Sequence, residues 1–271
     1  MIELIVSQGR VADRAPRMIE GAARTAQALS QRYGVNTRTV GTPSPHAHDD
    51  WRVSLPQAKP TLDALRGAIE HSLHLGPLTV LLSNTCSASL ASLPVVAREH
   101  PDAVVLWIDA HGDFNTPETT GSGYLGGMVL AGVCGLWDSG HGAGLRPQQV
   151  VLVGARDIDG AERDLLAAAG VRIIPPARTT PEAVLAAIGD APVWVHIDWD
   201  VLEPGHLPAD YTVPHGLLPS QIRALFESIP AGQIRGLELA EFNASEDEAV
   251  NAQALAVILD IVSPLFNQLA A

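Results

Sequence analysis

The sequence predicts an α/β fold, a parallel sheet wrapped by helices. Two observations carry that expectation. Short apolar runs alternate along the chain with longer segments of helical character, the order that buries strands between helical layers. Most of those runs are apolar at nearly every position, as strands covered on both faces must be. Periodicity leaves two arrangements open, an eight-stranded barrel and an open doubly wound sheet. Both place functional sites at the carboxyl ends of the strands.

The elements follow in order. A first strand is expected over residues 2–6, a helix over 15–32 and a second strand over 35–40. The Pro/His-rich stretch 42–56 reads as a surface loop, because proline and short polar residues interrupt both periods. A helix over 62–75, a strand over 78–82, a helix over 88–99 and a strand over 103–108 come next, then a helix over 125–135 and a Gly-rich loop over 139–144. The second half repeats the alternation, with strands over 149–153, 171–174, 193–197 and 234–239 and helices over 161–169, 181–187, 219–227 and 247–268. Pro181 suits a first helical turn, where its missing N–H costs nothing, and Ser220 sits near another helix start. Trp107 and Trp194 are expected in the sheet core. Neither loop separates balanced halves and no internal repeat or charge block appears, so residues 1–271 are expected to form one domain.

Composition narrows the function classes. With 271 residues, 46% of them hydrophobic, the chain can bury roughly 70–75% of its extended surface without staples. Only 4% are aromatic, so the core must be aliphatic. The formal charge of −13 leaves no basic stripe for phosphates, which argues against nucleic acid and anionic membranes as partners and favours a small cationic ligand. Cys86 and Cys134 are too few and too isolated for a disulfide framework, and the N-terminus lacks a basic leader. No apolar run is expected to approach the ~20 residues of a membrane span. A soluble protein of the cytoplasm is the expectation. A homo-oligomer is compatible with the sequence, though no segment marks an interface.

The chemistry sits after two strands. Asp109, His111 and Asp113 follow the run ending at Ile108 at i, i+2 and i+4, so in extended chain all three project to one side. Asp198 and Asp200 follow the run ending at Ile197 with the same spacing. Two acidic clusters at strand ends can converge on one crevice. Four carboxylates that close cannot all stay ionised without compensating positive charge, and divalent metal supplies it. Four Asp and one His suffice for two ions about 3.5–4 Å apart, the spacing at which a shared water is activated. Carboxylate-rich ligation with a single imidazole favours manganese over zinc.

The segments Asp109-Ala110-His111-Gly112-Asp113, His196-Ile197-Asp198-Trp199-Asp200 and Glu238-Leu239-Ala240-Glu241-Phe242-Asn243, with the residues that follow the first two, resemble the three signature motifs of the arginase/ureohydrolase family. The resemblance implies a three-layer α/β/α fold with an open eight-stranded parallel sheet, two Mn2+ ions and hydrolysis of a guanidino group, which decides the sheet against the barrel. Carried over by position, it implies that Asp109 and Asp198 bridge the ions, that His111 and Asp200 complete one site and that Asp113 belongs to the other. It implies that Glu241 pairs with the guanidinium, a planar fork for which a carboxylate is the natural partner. Asn115, Thr120 and Ser122 match contacts to an α-carboxylate, Asp159 and Glu162 contacts on the α-amino side, and Thr212 a hydroxyl near the nucleophile. His196 shares the side of Asp198 and Asp200 by parity, which suits a hydrogen bond behind the ligands; His206 and His215 have weaker claims, His215 as a replacement proton donor.

Two departures from the family pattern bear on the substrate. Where the first family motif carries a metal-binding histidine, Cys86 stands in Ser83-Asn84-Thr85-Cys86-Ser87. A thiolate is a soft ligand for a hard ion, so weaker or altered occupancy is expected there. Where arginases carry a histidine that helps protons reach the departing amine, this chain has Gly126. A lost general acid costs roughly 10²–10⁴-fold, so poor arginase activity is expected. Glycine also opens space for a guanidine bearing an added substituent, of which an N-hydroxyguanidine is the simplest. Together the resemblance and its departures imply hydrolysis of Nω-hydroxy-L-arginine to L-ornithine and hydroxyurea, the latter feeding antibiotic synthesis. The alternatives are an arginase or agmatinase acting on an unsubstituted guanidine, and a degenerate binding protein on the same fold.

Overall fold

The computed structural model describes residues 2–76 and 78–270. The strands are β1 (Glu3–Ser7), β2 (Asn36–Val40), β3 (Thr79–Leu82), β4 (Val104–Ile108), β5 (Val150–Val153), β6 (Arg172–Ile174), β7 (Val193–Asp198) and β8 (Ile234–Ala240). They form one open sheet in the order β2-β1-β3-β8-β7-β4-β5-β6, every pair parallel. Each lies within a residue or two of its expected span. Alternate residues of the strands feed two separate apolar clusters. Leu4, Val80, Leu106 and Val195 enter one, and Ile5, Leu81, Trp107 and Trp194 the other. Both faces are therefore buried, which is why the strands read as continuous apolar runs.

The helices are α1 (Met18–Tyr33), α2 (Trp51–Leu75), α3 (Ser89–Glu99), α4 (Val129–Val133), α5 (Gly160–Ala169), α6 (Pro181–Ile188), α7 (Pro219–Ser228) and α8 (Glu248–Ala270). Two differ from expectation. α2 begins at Trp51, inside the stretch expected to be loop, because the Asp50 side chain accepts the Arg52 N–H as a cap and a buried stripe at Ser54, Ala58, Leu62, Leu65, Ile69 and Ser72 holds the helix through Pro56 and Pro60. The expected helix over 125–135 is a 3-10 turn (Gly126–Met128) running into the short α4. α8 corrects the expectation about apolar runs. Glu248–Asn267 is long and apolar enough to cross a membrane, with mean hydropathy 1.7, yet half of it is buried in the protein, where it packs on α7 and α1 as a core helix.

Candidate active site

Chain order and sheet order part company between β3 and β4, where the chain skips two places later filled by β8 and β7. The carboxyl ends of these four central strands thus form one crevice, the position where open α/β sheets bind ligands. Cys86 follows β3, Asp109 follows β4, Asp198 ends β7 and Glu241 follows β8. Register aligns them: Ile108 pairs Ile197, and Asp198 pairs Ala240. A cavity of about 270 Å³ opens on this edge.

His111 Nδ1 lies 2.9 Å from Asp200 Oδ2 and 3.4 Å from Asp109 Oδ1. Those hydrogen bonds outweigh burial and drive the imidazole pKa far above its ordinary value, while the same contact holds Asp109 low. Burial, reinforced by neighbouring carboxylates, pushes Asp113 and Asp198 well up, and Asp200 up to about 6. A cluster of this charge takes up protons or cations to limit its repulsion. Single donor atoms of Asp109, His111 and Asp200 lie within 4.8 Å of one another, as do those of Cys86, Asp198 and Glu241, and those of Cys86, Asp109 and His196. This donor set fits a pair of divalent cations. Asp113 belongs to none of these groups, yet its Oδ2 is buried with no hydrogen-bond partner, and its backbone is left-handed at φ 49°. An orphaned buried carboxylate oxygen beside a metal-type cluster is the mark of a group meant for a ligand.

Cys86 Sγ sits 3.2 Å from Asp198 Oδ2 and 3.3 Å from His196 Nε2. Burial and the Asp198 charge push its thiol well above the ordinary value. Behind it, His196 Nδ1 lies 2.8 Å from Glu238 Oε2, and both side chains are fully buried. Glu238 also accepts from Ser89, Ser92 and the Trp194 indole, and with His196 these bonds hold it low in spite of its burial. Trp107 stacks on His196 at 3.6 Å and donates its indole N–H to Asp109 Oδ2 at 3.0 Å. Both tryptophans are core residues, as expected, and each also orients an acid.

Glu241 lies at the cavity wall in a left-handed conformation, φ 67°. Its Oε1 accepts the Cys86 backbone N–H at 2.9 Å and the Tyr124 hydroxyl at 3.1 Å. Glu162, buried at 4% exposure, accepts the Phe114 N–H at 2.8 Å, and burial raises its carboxyl to about 7. Gly112 makes this approach possible: a Cβ there would lie 2.7 Å from the Glu162 carboxyl carbon. Asp159 caps α5 through the Glu162 N–H and faces Asn115 Nδ2 at 3.4 Å. Asn115, Ser122, Asp159, Glu162, Asp113 and Glu241 all line the cavity, together with Cys86, His111, Asp198 and Asp200. Asp109 sits behind them. Thr120 is not among the lining residues; its hydroxyl accepts the Gly123 N–H and shapes the turn. Thr212 and His206 line a different cleft.

Three contributors escaped the sequence reading. Tyr124 and Tyr211 line the cavity. Arg156 donates to the carbonyls of Asp200, Val201, Leu202 and Val213, pinning the segment that carries Asp200. Arg156 follows a strand end in Gly154-Ala155-Arg156, a position that could have flagged it, but its carbonyl partners are distant in sequence.

The fold and the convergent acidic site define a hydrolase of the arginase family: the chain belongs to that family, whose model matches residues 3–263. It is 69% identical over 271 residues, 100% of this chain and 99% of that one, to the N(omega)-hydroxy-L-arginine amidinohydrolase of Streptomyces lavendulae. Among solved structures it resembles Entamoeba histolytica arginase in complex with L-ornithine, with a TM-score of 0.86 and 20% identity over 98% of this chain and 97% of that one. The arginase of Bacillus subtilis matches with a TM-score of 0.82 and 22% identity, over 98% of each chain. These two likenesses show the fold.

Proposed function

We propose that the chain, acting as one catalytic domain over residues 1–271, hydrolyses Nω-hydroxy-L-arginine to L-ornithine and hydroxyurea. The observation that carries this reading is the 69% full-length identity to the Streptomyces lavendulae enzyme. The site supports it, with the buried Glu241 carboxylate on the cavity wall for a guanidinium-like fork.

Cys86, Asp109, Asp113 and Asp198 would hold one divalent ion and Asp109, His111, Asp198 and Asp200 the other. The hard carboxylates favour manganese, with the Cys86 thiol as the one soft donor. When bound, such a pair would lower the pKa of water towards ~7 and stabilise negative charge on oxygen. The chain's own residues do the rest. Glu241 holds the hydroxyguanidine group through its N–H donors and fixes the central carbon over the acidic cluster. Asp113 Oδ2, unpartnered in the protein, accepts the proton of the attacking water. Water adds to the central carbon, the bond to the ornithine Nδ breaks as the proton returns from Asp113 to that nitrogen, and the hydroxyl left on the carbon gives its proton to the released δ-amine as the hydroxyurea carbonyl forms. Asn115 and Ser122 face the α-carboxylate, and Asp159 and Glu162 the α-ammonium. Cys86 and Cys134 are free thiols, which suits a reducing cytoplasm.

The test is to incubate the manganese-loaded protein with arginine, agmatine and Nω-hydroxy-L-arginine and to measure ornithine, urea and hydroxyurea. Hydroxyurea from the hydroxylated substrate alone is expected. Equal turnover of arginine would sink the substrate assignment, and no turnover of any compound, with metal absent by elemental analysis, would favour a binding protein.

A further inference from the structure

Gly126 is open on paper but not in space. A Cβ built there would lie 2.8 Å from Tyr124 Cζ and closer still to Cε1, with Tyr124 supplying each of its three nearest atoms. The ring of Tyr124 thus fills the volume that a side chain at 126 would need. Its position is braced from both ends. The Arg14 guanidinium lies 4.7 Å over the ring, itself tied to the Ser122 and Asp49 carbonyls, and the phenol donates to Glu241 Oε1. Burial and the Glu241 charge raise the phenol pKa well above its ordinary value, so it keeps its proton and donates. With its hydrogen committed to Glu241, the phenol oxygen still has lone pairs, and Tyr124 is among the residues lining the cavity.

We propose that Tyr124 is the specificity-determining residue of this site: it takes the place of a side chain at position 126 and reads the N-hydroxyl group of the substrate. The inference rests on the hydroxyarginine reading and adds to it the group that recognises the hydroxyl. Glu241 accepts from the guanidine nitrogens. The N-hydroxyl reaches one heavy atom beyond them and donates to the Tyr124 oxygen, which passes its own hydrogen to Glu241. An unsubstituted guanidinium ends short of the phenol and leaves that acceptor unmatched. A site built to bond a substrate hydroxyl discriminates against the analogue that lacks it, because the site's own polar group is then unpaired.

The test compares the manganese-loaded wild type with Tyr124→Phe and Gly126→Ala. Phenylalanine keeps the ring, its packing and the Arg14 contact and removes only the hydroxyl. Tyr124→Phe is expected to lower kcat/KM for Nω-hydroxy-L-arginine at least about tenfold while the inhibition constant for L-arginine stays within about twofold. Gly126→Ala, which displaces the ring, is expected to erode the same preference. An equal loss for both ligands, or no change in either, would overturn the proposal. If the wild type turns over neither compound, the hydrolytic reading fails on its own, and equilibrium dialysis with the two labelled amino acids decides about Tyr124. There, tighter binding of the hydroxylated compound that vanishes in Tyr124→Phe supports the role, and equal binding in both proteins refutes it.

Discussion

Glu162 is a carboxyl that the fold keeps neutral into the physiological range, and this has a measurable cost. The group is 4% exposed and titrates near pH 7 in the folded protein, against 4.5 for an ordinary glutamate. Between those values the folded chain holds a proton that the unfolded chain has released, so stability falls as pH rises through the window. A shift of that size corresponds to about 3 kcal/mol at pH 8 and almost nothing at pH 4. Glu162→Gln retains a carbonyl oxygen for the Phe114 N–H and cannot ionise. In the presence of a chelator, urea denaturation of wild type and variant at pH 5, 6.5 and 8 isolates the residue, because every other titrating group is common to both. The stability of the variant relative to wild type is expected to improve by roughly 2–3 kcal/mol from pH 5 to pH 8. A difference that stays constant within about 0.5 kcal/mol would show that Glu162 is solvated or paired, and the electrostatic account of this corner would be wrong.

The other predictions concern groups that touch different parts of the site. Glu241→Gln removes the charge that pairs with the substrate and should cut kcat/KM by about 10²-fold or more with manganese content unchanged; a variant that also loses metal would mean that Glu241 serves as a ligand. Cys86→His replaces a soft donor with an imidazole and should raise metal retained after dialysis, read by elemental analysis; unchanged content would count against ligation at this position. Gly112→Ala drives a methyl group into the Glu162 carboxyl and should cost about 1–3 kcal/mol while raising KM, and a variant with wild-type stability and KM would contradict that packing. His196→Ala removes one of the four hydrogen-bond partners of the fully buried Glu238 and should destabilise the fold by about 1–3 kcal/mol, as measured by denaturant midpoint.

Much of the fold was legible because strands buried on both faces leave nothing but apolar residues to read. Strand order was not, since periodicity carries no information about neighbours, and with it went the meaning of Glu238. Parity placed His196 on the side of Asp198 and Asp200, but only the pairing of β7 with β8 sets His196 opposite Glu238. The acidic clusters stood out because their spacing is local and their chemistry is costly without a partner. Tyr124 did not, because the sequence shows a missing side chain at Gly126 and gives no sign that a residue two places earlier folds into the space. The start of α2 was hidden by Pro56 and Pro60, whose breaking tendency is overridden by the buried stripe that runs from Ser54 through Ser72.

The balance of buried charge explains why the site must be completed from outside. Asp109, Asp113, Asp198, Asp200, Glu162, Glu238 and Glu241 are all buried. Against them stands His111, shared between Asp109 and Asp200, while His196, Ser89, Ser92 and Trp194 hydrogen-bond Glu238. Arg156 is close, but its guanidinium is occupied with backbone carbonyls. The protein therefore supplies too few positive charges for its acids, and protons, divalent ions and a cationic substrate compete to make up the difference. The exchange of an imidazole for the Cys86 thiol sharpens that competition. A neutral imidazole offers its lone pair at no charge, whereas a thiol must first lose a proton that burial and Asp198 hold in place. Ligation is thus linked to proton release on both sides, from the Cys86 thiol on one and from the His111 imidazolium on the other, where the displaced proton leaves a neutral ring.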